Sequence, residues 1–100
     1  MTQTTGPTVQ VTFPDDAPAF DGAQVVVRFI AVVNGVSLSC AITAEALEDH
    51  FGARSTLETE LLRAFAEGRE RIHEVCKRAI EASGGAAVVL RSGLFRIEPA

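Results

Sequence analysis

Apolar and polar residues alternate at the start of the patterned chain. Every second residue from Val9 to Phe13 is apolar, which is typical of a half-buried strand, and Pro14 ends the pattern because it lacks a backbone donor. Residues 14–22 are rich in Asp, Pro and Gly and predict an ordered loop, with Phe20 as its apolar anchor. The pattern therefore predicts one strand followed by a loop.

A hairpin is predicted around Asn34-Gly35, which lies between two β-rich runs. A two-residue type I′ turn needs positive φ at both central positions, and Asn-Gly tolerates it well. The turn sets the register, pairing Val33 with Val36, Ala31 with Leu38, Phe29 with Cys40 and Val27 with Ile42. We expect these side chains to form the core face, because paired residues share one side of a sheet. The opposite face is only half polar.

Two helices are predicted after the hairpin. Thr43 is a suitable N-cap for a short helix that ends near Gly52. Ser55 and Glu58 match a capping box, and apolar residues then recur at threes and fours, which predicts a long second helix over residues 56–83.

The end of the chain predicts a last strand. An apolar run at residues 86–90 and a second at 94–97 flank a tight turn or bulge near Gly93. The fold class is therefore α+β with two layers: an antiparallel sheet of about four strands, with one short and one long helix on one face. The pattern does not set the strand order beyond the hairpin at residues 24–43.

Composition narrows the class of protein. The chain has 100 residues, 47% of them hydrophobic, which suits one domain over residues 9–98 preceded by a flexible arm over residues 1–8. The net charge of −4 removes the basic surface that binding to nucleic acid needs. The longest strongly apolar run, at residues 25–33, is too short to span a bilayer, so we expect no membrane partner. The chain starts without a secretory signal pattern, and we expect a cytoplasmic protein.

The sharpest candidate chemistry is a metal site. His73 and Cys76 are three residues apart on the long helix, and Cys40 points into the face that this helix covers. However, His73 lies off the apolar stripe, and only the distant His50 remains as a fourth ligand. We therefore expect no metal, no cofactor and no catalytic residue, with both cysteines as buried, reduced thiols.

Two further sequence features are candidate sites. The acidic run with Asp15, Asp16 and Asp21 lacks the spacing of an EF-hand loop and favours a solvated turn. Arg28 lies in the middle of an apolar strand, where it either covers apolar surface with its stem or pairs with an acid across an interface.

An interface between copies is predicted from helix length. A helix over residues 56–83 would be about 42 Å long at 1.5 Å per residue, whereas a domain of this size is about 30–35 Å across. The helix overhangs unless it kinks at Gly68, although an isolated glycine in a helix more often marks close packing against another element. An overhanging apolar stripe needs a cover, and two-fold homodimers are the commonest oligomers. We therefore predict a homodimer through the end of this stripe at Ala79 and Ile80. The half-apolar sheet face is the other candidate surface, and the sequence does not decide between the two: Val26, Arg28, Ile30 and Val32.

The order of turns and core positions resembles a known family. The residues that carry the resemblance are Phe13, Phe20-Asp21-Gly22, Val27 to Phe29, Asn34-Gly35, Cys40 to Leu47, Phe51-Gly52, Phe65, Arg69 and Ile72. This series resembles a small bacterial family, domain of unknown function 1488, over about residues 9–90. The resemblance implies a single α+β domain in the bacterial cytoplasm and carries no established activity.

Three function classes follow as hypotheses. The first is a non-enzymatic module for self-association or for binding a protein partner. The second is a small-molecule-binding domain or minor enzyme, with a pocket between the loop at residues 14–22 and the helices. The third, a nucleic-acid-associated regulator, would require Arg63, Arg69, Arg71, Lys77 and Arg78 to converge, and interleaved glutamates dilute that stripe.

Overall fold

The computed structural model describes residues 9–96, with the backbone alone for Arg96. The predicted arm at residues 1–8 and the last two residues of the predicted domain lie outside the described residues. The strands are β1 (Val11–Thr12), β2 (Ala19–Asp21), β3 (Val26–Val33), β4 (Val36–Thr43) and β5 (Val89–Leu90). The helices are α1 (Ala44–His50), α2 (Glu58–Glu67), α3 (Arg69–Ala82) and α4 (Ser92–Arg96).

The α+β fold class is confirmed. The sheet order is β1-β3-β4-β5, and β2 pairs with β3 on the same edge as β1. The sheet is antiparallel except for β5, which runs parallel to β4. The sheet thus has five strands where about four were predicted.

The hairpin forms as predicted. Asn34 has φ 51° and Gly35 has φ 86°, as a type I′ turn requires. The four predicted pairs all occur in the register of β3 and β4. Gln10 strengthens the turn, because its backbone N–H donates to Asn34 Oδ1 at 2.9 Å and its carbonyl accepts from the Asn34 N–H at 2.9 Å.

The helices cover one face of the sheet. The odd-numbered residues of β3 are buried, whereas Arg28, Ile30 and Val32 on the other side are partly exposed. The covering side chains from the helices are Leu47, Leu61, Ala64, Phe65, Ile72, Val75, Cys76 and Ile80. One part of the predicted core face is wrong: Val36 is 61% exposed, because it lies at the end of the hairpin beyond the helix layer.

The predicted long helix is two helices. Gly68 is both the C-cap of α2 and the N-cap of α3, with φ −102° and ψ 15°. The capping box is also wrong: Leu57 is the N-cap of α2, and Ser55 Oγ accepts instead from the Leu57 N–H at 3.3 Å. Thr43 does cap α1 as predicted, accepting from the Ala46 N–H at 3.1 Å.

Two segments differ in type from the prediction. The loop at residues 14–22 contains β2, which pairs Phe20 with Val27 and contacts α2. At the end of the chain the predicted strand past Gly93 is the helix α4, because Ser92 is held by side chains of α1 rather than by a strand neighbour. No helix among residues 9–96 combines the length and the apolar character that crossing a bilayer needs.

Candidate functional site

A hydroxyl, a carboxylate and an imidazole meet where α4 joins α1. Ser92 is 2% exposed, and its Oγ donates to Asp49 Oδ2 at 2.5 Å. His50 Nε2 lies 3.2 Å from Ser92 Oγ and 3.1 Å from the Ser92 carbonyl oxygen. These three residue types also form the catalytic triad of hydrolases, so their roles have to be compared.

The hydrogen bonds run in the wrong direction for a triad. In a triad the carboxylate holds the imidazole and the imidazole takes the hydroxyl proton. Here Asp49 accepts the hydrogen bond that Ser92 Oγ donates. His50 Nε2 faces the Ser92 carbonyl oxygen, which can only accept, so the Nε2 atom carries the hydrogen of this bond. The arrangement therefore clamps α4 to α1 and does not activate a nucleophile.

The two cysteines are free thiols in the core. Cys40 on β4 and Cys76 on α3 are each 0% exposed. The hydrogen bond to Cys40, together with burial, raises the pKa of the Cys76 thiol. A buried, protonated thiol is a poor nucleophile and a poor metal ligand.

His73 faces aromatic rings. Its imidazole stacks on Phe13 at 4.0 Å between centroids and 3° between planes, and it also contacts Phe29 and Phe65. Burial lowers the pKa of His73, and the nearby charge of Arg69 lowers it further. Within residues 9–96 no group of three His, Cys, Asp or Glu side chains is placed to hold a metal ion.

The predicted interface residues separate into two groups. Ile80 is 0% exposed in the core and Ala79 packs against it, so this end of α3 leaves no apolar stripe to cover. The predicted single rod is also divided at Gly68 into the two shorter helices α2 and α3. In contrast, Arg28, Ile30 and Val32 point away from the helices. We call this side of the sheet the outer face.

A small cleft lies at one end of the outer face. Its volume is about 110 Å³, and we call it the outer cleft. The lining residues are Gln24, Val26, Arg28, Ala41, Thr43, Val89 and Arg91. Val26 and Ala41 are 6% and 1% exposed and form its floor, whereas Val89 is 44% exposed.

Asp21 fixes the position of Arg28 beside this cleft. Arg28 Nε donates to Asp21 Oδ2 at 2.9 Å, and Asp21 Oδ1 accepts from the backbone N–H groups of Ala23 and Gln24. The Arg28 hydrogen bond and the two backbone bonds hold the pKa of Asp21 below its usual value. Asp21 therefore holds Arg28 in place as a charged carboxylate. The acidic run in the sequence instead favours a solvated turn at this residue.

Sequence reasoning missed the outer cleft and the clamp. The sequence predicts a turn or bulge at the segment that holds Arg91 and Ser92, and nothing in their spacing places them beside Arg28 or Asp49. The signal was Arg28 itself, a charge within an apolar strand. Most of the basic residues that a nucleic-acid stripe would require are paired with acids: Arg63 with Glu60 and Glu67, Arg69 with Asp15, and Arg78 with Glu74.

These features define a class: a small domain with one sheet layer, one helix layer and one sheet face that no helix within residues 9–96 covers. Residues 11–90 match the family described as protein of unknown function (DUF1488), and the chain belongs to this family, which confirms the resemblance seen in the sequence.

A solved structure shares the fold. The chain is similar to the crystal structure of a protein of unknown function of the DUF1488 family from Shewanella loihica PV-4, with a TM-score of 0.70. The identity is 22%, over 81% of this chain and 92% of that chain. No curated protein matches the chain. The comparisons support the fold and the family and indicate no specific activity.

Proposed function

We propose that the protein is a non-enzymatic self-association module in which two copies pack through their outer faces. The observation that carries the proposal is the placement of Ile30 and Val32. They lie on the central strand β3, yet they belong neither to the core nor to the partly buried apolar residues packed against it. No described helix covers them. Apolar side chains at the centre of an uncovered sheet face are typical of a protein interface.

A second copy suits this surface because a two-fold axis places a face against itself. Ile30 and Val32 would then contact the same residues of the partner. Such a contact uses the face of both copies, so the assembly is complete as a dimer. The neighbouring positions on β4 are Ser37 and Ser39, which are exposed and small, so they let a second sheet approach closely. An apolar strip with a polar border is the usual anatomy of an interface.

The edge of β4 offers a continuation of this surface. The Ala41 N–H donates to the Val88 carbonyl at 3.2 Å, so the backbone groups of the odd-numbered β4 residues point away from β3. Strand β5 pairs only with Ala41 and Ile42. On the side away from β3, the backbone N–H and C=O groups of Ser37 and Ser39 therefore have no strand neighbour among residues 9–96. An open edge of this kind accepts another strand.

Sedimentation velocity on matched lysine variants tests the proposal. Ile30→Lys places a charge in the proposed contact and should convert the dimer to a monomer. Thr59→Lys places the same charge on an exposed position of α2, away from the outer face, and should leave the dimer intact. Each variant is first checked for an unchanged far-UV circular dichroism spectrum, so that loss of the dimer is not loss of the fold; the thermal midpoint does not serve, because dissociation of a dimer lowers it.

Two results would overturn the proposal. One is a wild-type protein that sediments as a monomer at every concentration. The other is a dimer that Ile30→Lys leaves intact, which would place the contact elsewhere. The bacterial cytoplasm is part of the same proposal, and it is supported by the two free thiols, because disulfides are rare in that compartment.

A further inference from the structure

We propose that the outer cleft binds a small aliphatic carboxylate, held by Arg28 and Arg91 and seated on an apolar floor. This goes beyond self-association and does not rest on it, because the cleft lies at the end of the outer face away from Val32. The volume of about 110 Å³ is well below that of sites for drug-sized molecules, which occupy roughly 300–1,000 Å³. The ligand is therefore small.

The charge of the cleft selects an anion. The two charged residues that line it, Arg28 and Arg91, are both positive, in a chain whose net charge is −4. Two other surface depressions mix the two signs. One lies between β1 and α3 and is lined in part by Lys77 and Glu81, and the other lies at the junction of α2 and α3 and is lined in part by Glu67, Arg69, Glu70 and Arg71.

Arg28 is held in a way that leaves its binding groups available. Asp21 accepts the hydrogen bond that Arg28 Nε donates, and no hydrogen bond within residues 9–96 engages the two terminal nitrogens of Arg28. A guanidinium presents parallel N–H groups that match the two oxygens of a carboxylate. Arg91 forms no ion pair or hydrogen bond with any described residue, so its charge is not neutralised within that part of the chain.

The floor of the cleft selects an organic anion over a mineral one. Val26 and Ala41 are buried beneath it, and Val89 exposes 44% of its surface at its side. A short aliphatic stem would remove this apolar surface from water, and each buried methylene contributes about 0.8 kcal/mol. Inorganic phosphate could use the arginines but not the floor.

The backbone beside the cleft is strained. Val25 lies between the lining residues Gln24 and Val26 and has φ 54°, in the left-handed region that a β-branched residue rarely adopts. Such strain costs of order 1–3 kcal/mol and clusters at ligand sites, where it is part of pre-organisation. Val25 directly follows the turn in which the Asp21 carboxylate accepts from the backbone N–H groups of Ala23 and Gln24 and from Arg28 Nε.

An NMR titration tests the assignment. Sodium butyrate is added to the ¹⁵N-labelled full chain, with butyramide as the neutral analogue and inorganic phosphate as the anion without a stem. We expect saturable shifts with butyrate, confined to the amides of Gln24, Val26, Arg28, Ala41, Val89 and Arg91. Butyramide should give no saturable shifts, and phosphate should bind more weakly than butyrate.

Three arginine variants locate the site. Arg91→Gln and Arg28→Gln should each raise the dissociation constant roughly tenfold, as expected for loss of a charged hydrogen bond. Arg91 is exposed, so its variant remains informative if Arg28→Gln disturbs the turn at Asp21. Arg54→Gln removes the same charge from a side chain that is 83% exposed elsewhere and should change nothing.

The same titration on Ile30→Lys separates the two proposals, because binding should persist there even when the dimer is lost. Shifts that do not saturate, or that butyramide reproduces, would overturn the assignment. So would an affinity that Arg91→Gln leaves unchanged, or phosphate binding as tightly as butyrate.

Discussion

The ring of Phe51 fills the space that a side chain at Gly68 would need. A Cβ built on Gly68 would overlap the Phe51 ring, with Cε1 only 2.7 Å away. Phe51 in turn meets Phe95 edge-on at 5.2 Å between centroids. The end of α1, the junction of α2 and α3, and the helix α4 therefore pack at one point. This contact explains why a glycine stands where the helix breaks.

The first prediction concerns this contact. Gly68→Ala should destabilise the protein by about 1–3 kcal/mol, because the added methyl group must displace a packed ring. Helix propensity alone predicts the opposite sign, a gain of about 1 kcal/mol. Urea denaturation measures the difference. Gly93→Ala in α4 is the matched control, since its Cβ would meet nothing within 4 Å, and it should be neutral or stabilising. A stabilising Gly68→Ala would contradict the packing described.

The second prediction concerns the strained turn at Val25. Val25→Asn should stabilise the protein by about 1 kcal/mol, because asparagine tolerates the left-handed region at lower cost than valine. Val36→Asn is the control, since Val36 is also an exposed valine but has no positive φ. It should be neutral or destabilising. Thermal unfolding measures the stability of each variant. An equal loss of stability in Val25→Asn and Val36→Asn would show that Val25 is not strained.

The third prediction concerns the clamp on α4. Ser92→Ala should cost about 1–2 kcal/mol, because it removes a buried donor from the Asp49 carboxylate. Ser37→Ala, on the exposed side of β4, should stay within about 0.5 kcal/mol of the wild type. Equal stability of the two variants would contradict the clamp. An esterase activity that disappears with Ser92→Ala would contradict its structural role.

The fourth prediction concerns pH. Burial lowers the pKa of His73, so the unfolded chain binds its proton more tightly than the folded chain does. The resulting stability is fully present above the unfolded pKa of about 6.5 and is lost as the pH falls through the folded pKa. Between pH 7 and pH 5 the wild type should therefore lose more stability than His73→Gln. The free energy of unfolding is measured by chemical denaturation at each pH. The same dependence on pH in the wild type and in His73→Gln would show that His73 does not contribute to it.

The hairpin and the first cap could be predicted because their causes are local. Asn34-Gly35 requires a particular turn, and the turn fixes the register of every pair that follows. The pairing of β3 with β4 and the N-cap at Thr43 could therefore be predicted from the sequence. Membership of the family could also be predicted, because the pattern that carries the resemblance consists of these turns and core positions.

The sequence offers Gly68 as a possible kink, but the break itself, the last helix and the outer cleft could not be predicted because their causes are tertiary. The break at Gly68 depends on a ring from α1, and α4 depends on Asp49 and His50. The cleft depends on β5 lying parallel to β4, which brings Val89 and Arg91 beside Arg28. No periodicity along the chain shows contacts between residues so far apart in sequence.

The central claim is that the outer face, rather than the helix layer, is the surface through which two copies meet. An isotope-filtered NOE experiment on an equal mixture of labelled and unlabelled chains tests it directly, because it detects only contacts between copies. The account predicts intermolecular NOEs from the methyl groups of Ile30 and Val32. A spectrum with no intermolecular NOE, or with NOEs only from exposed residues of α2 and α3, would contradict it.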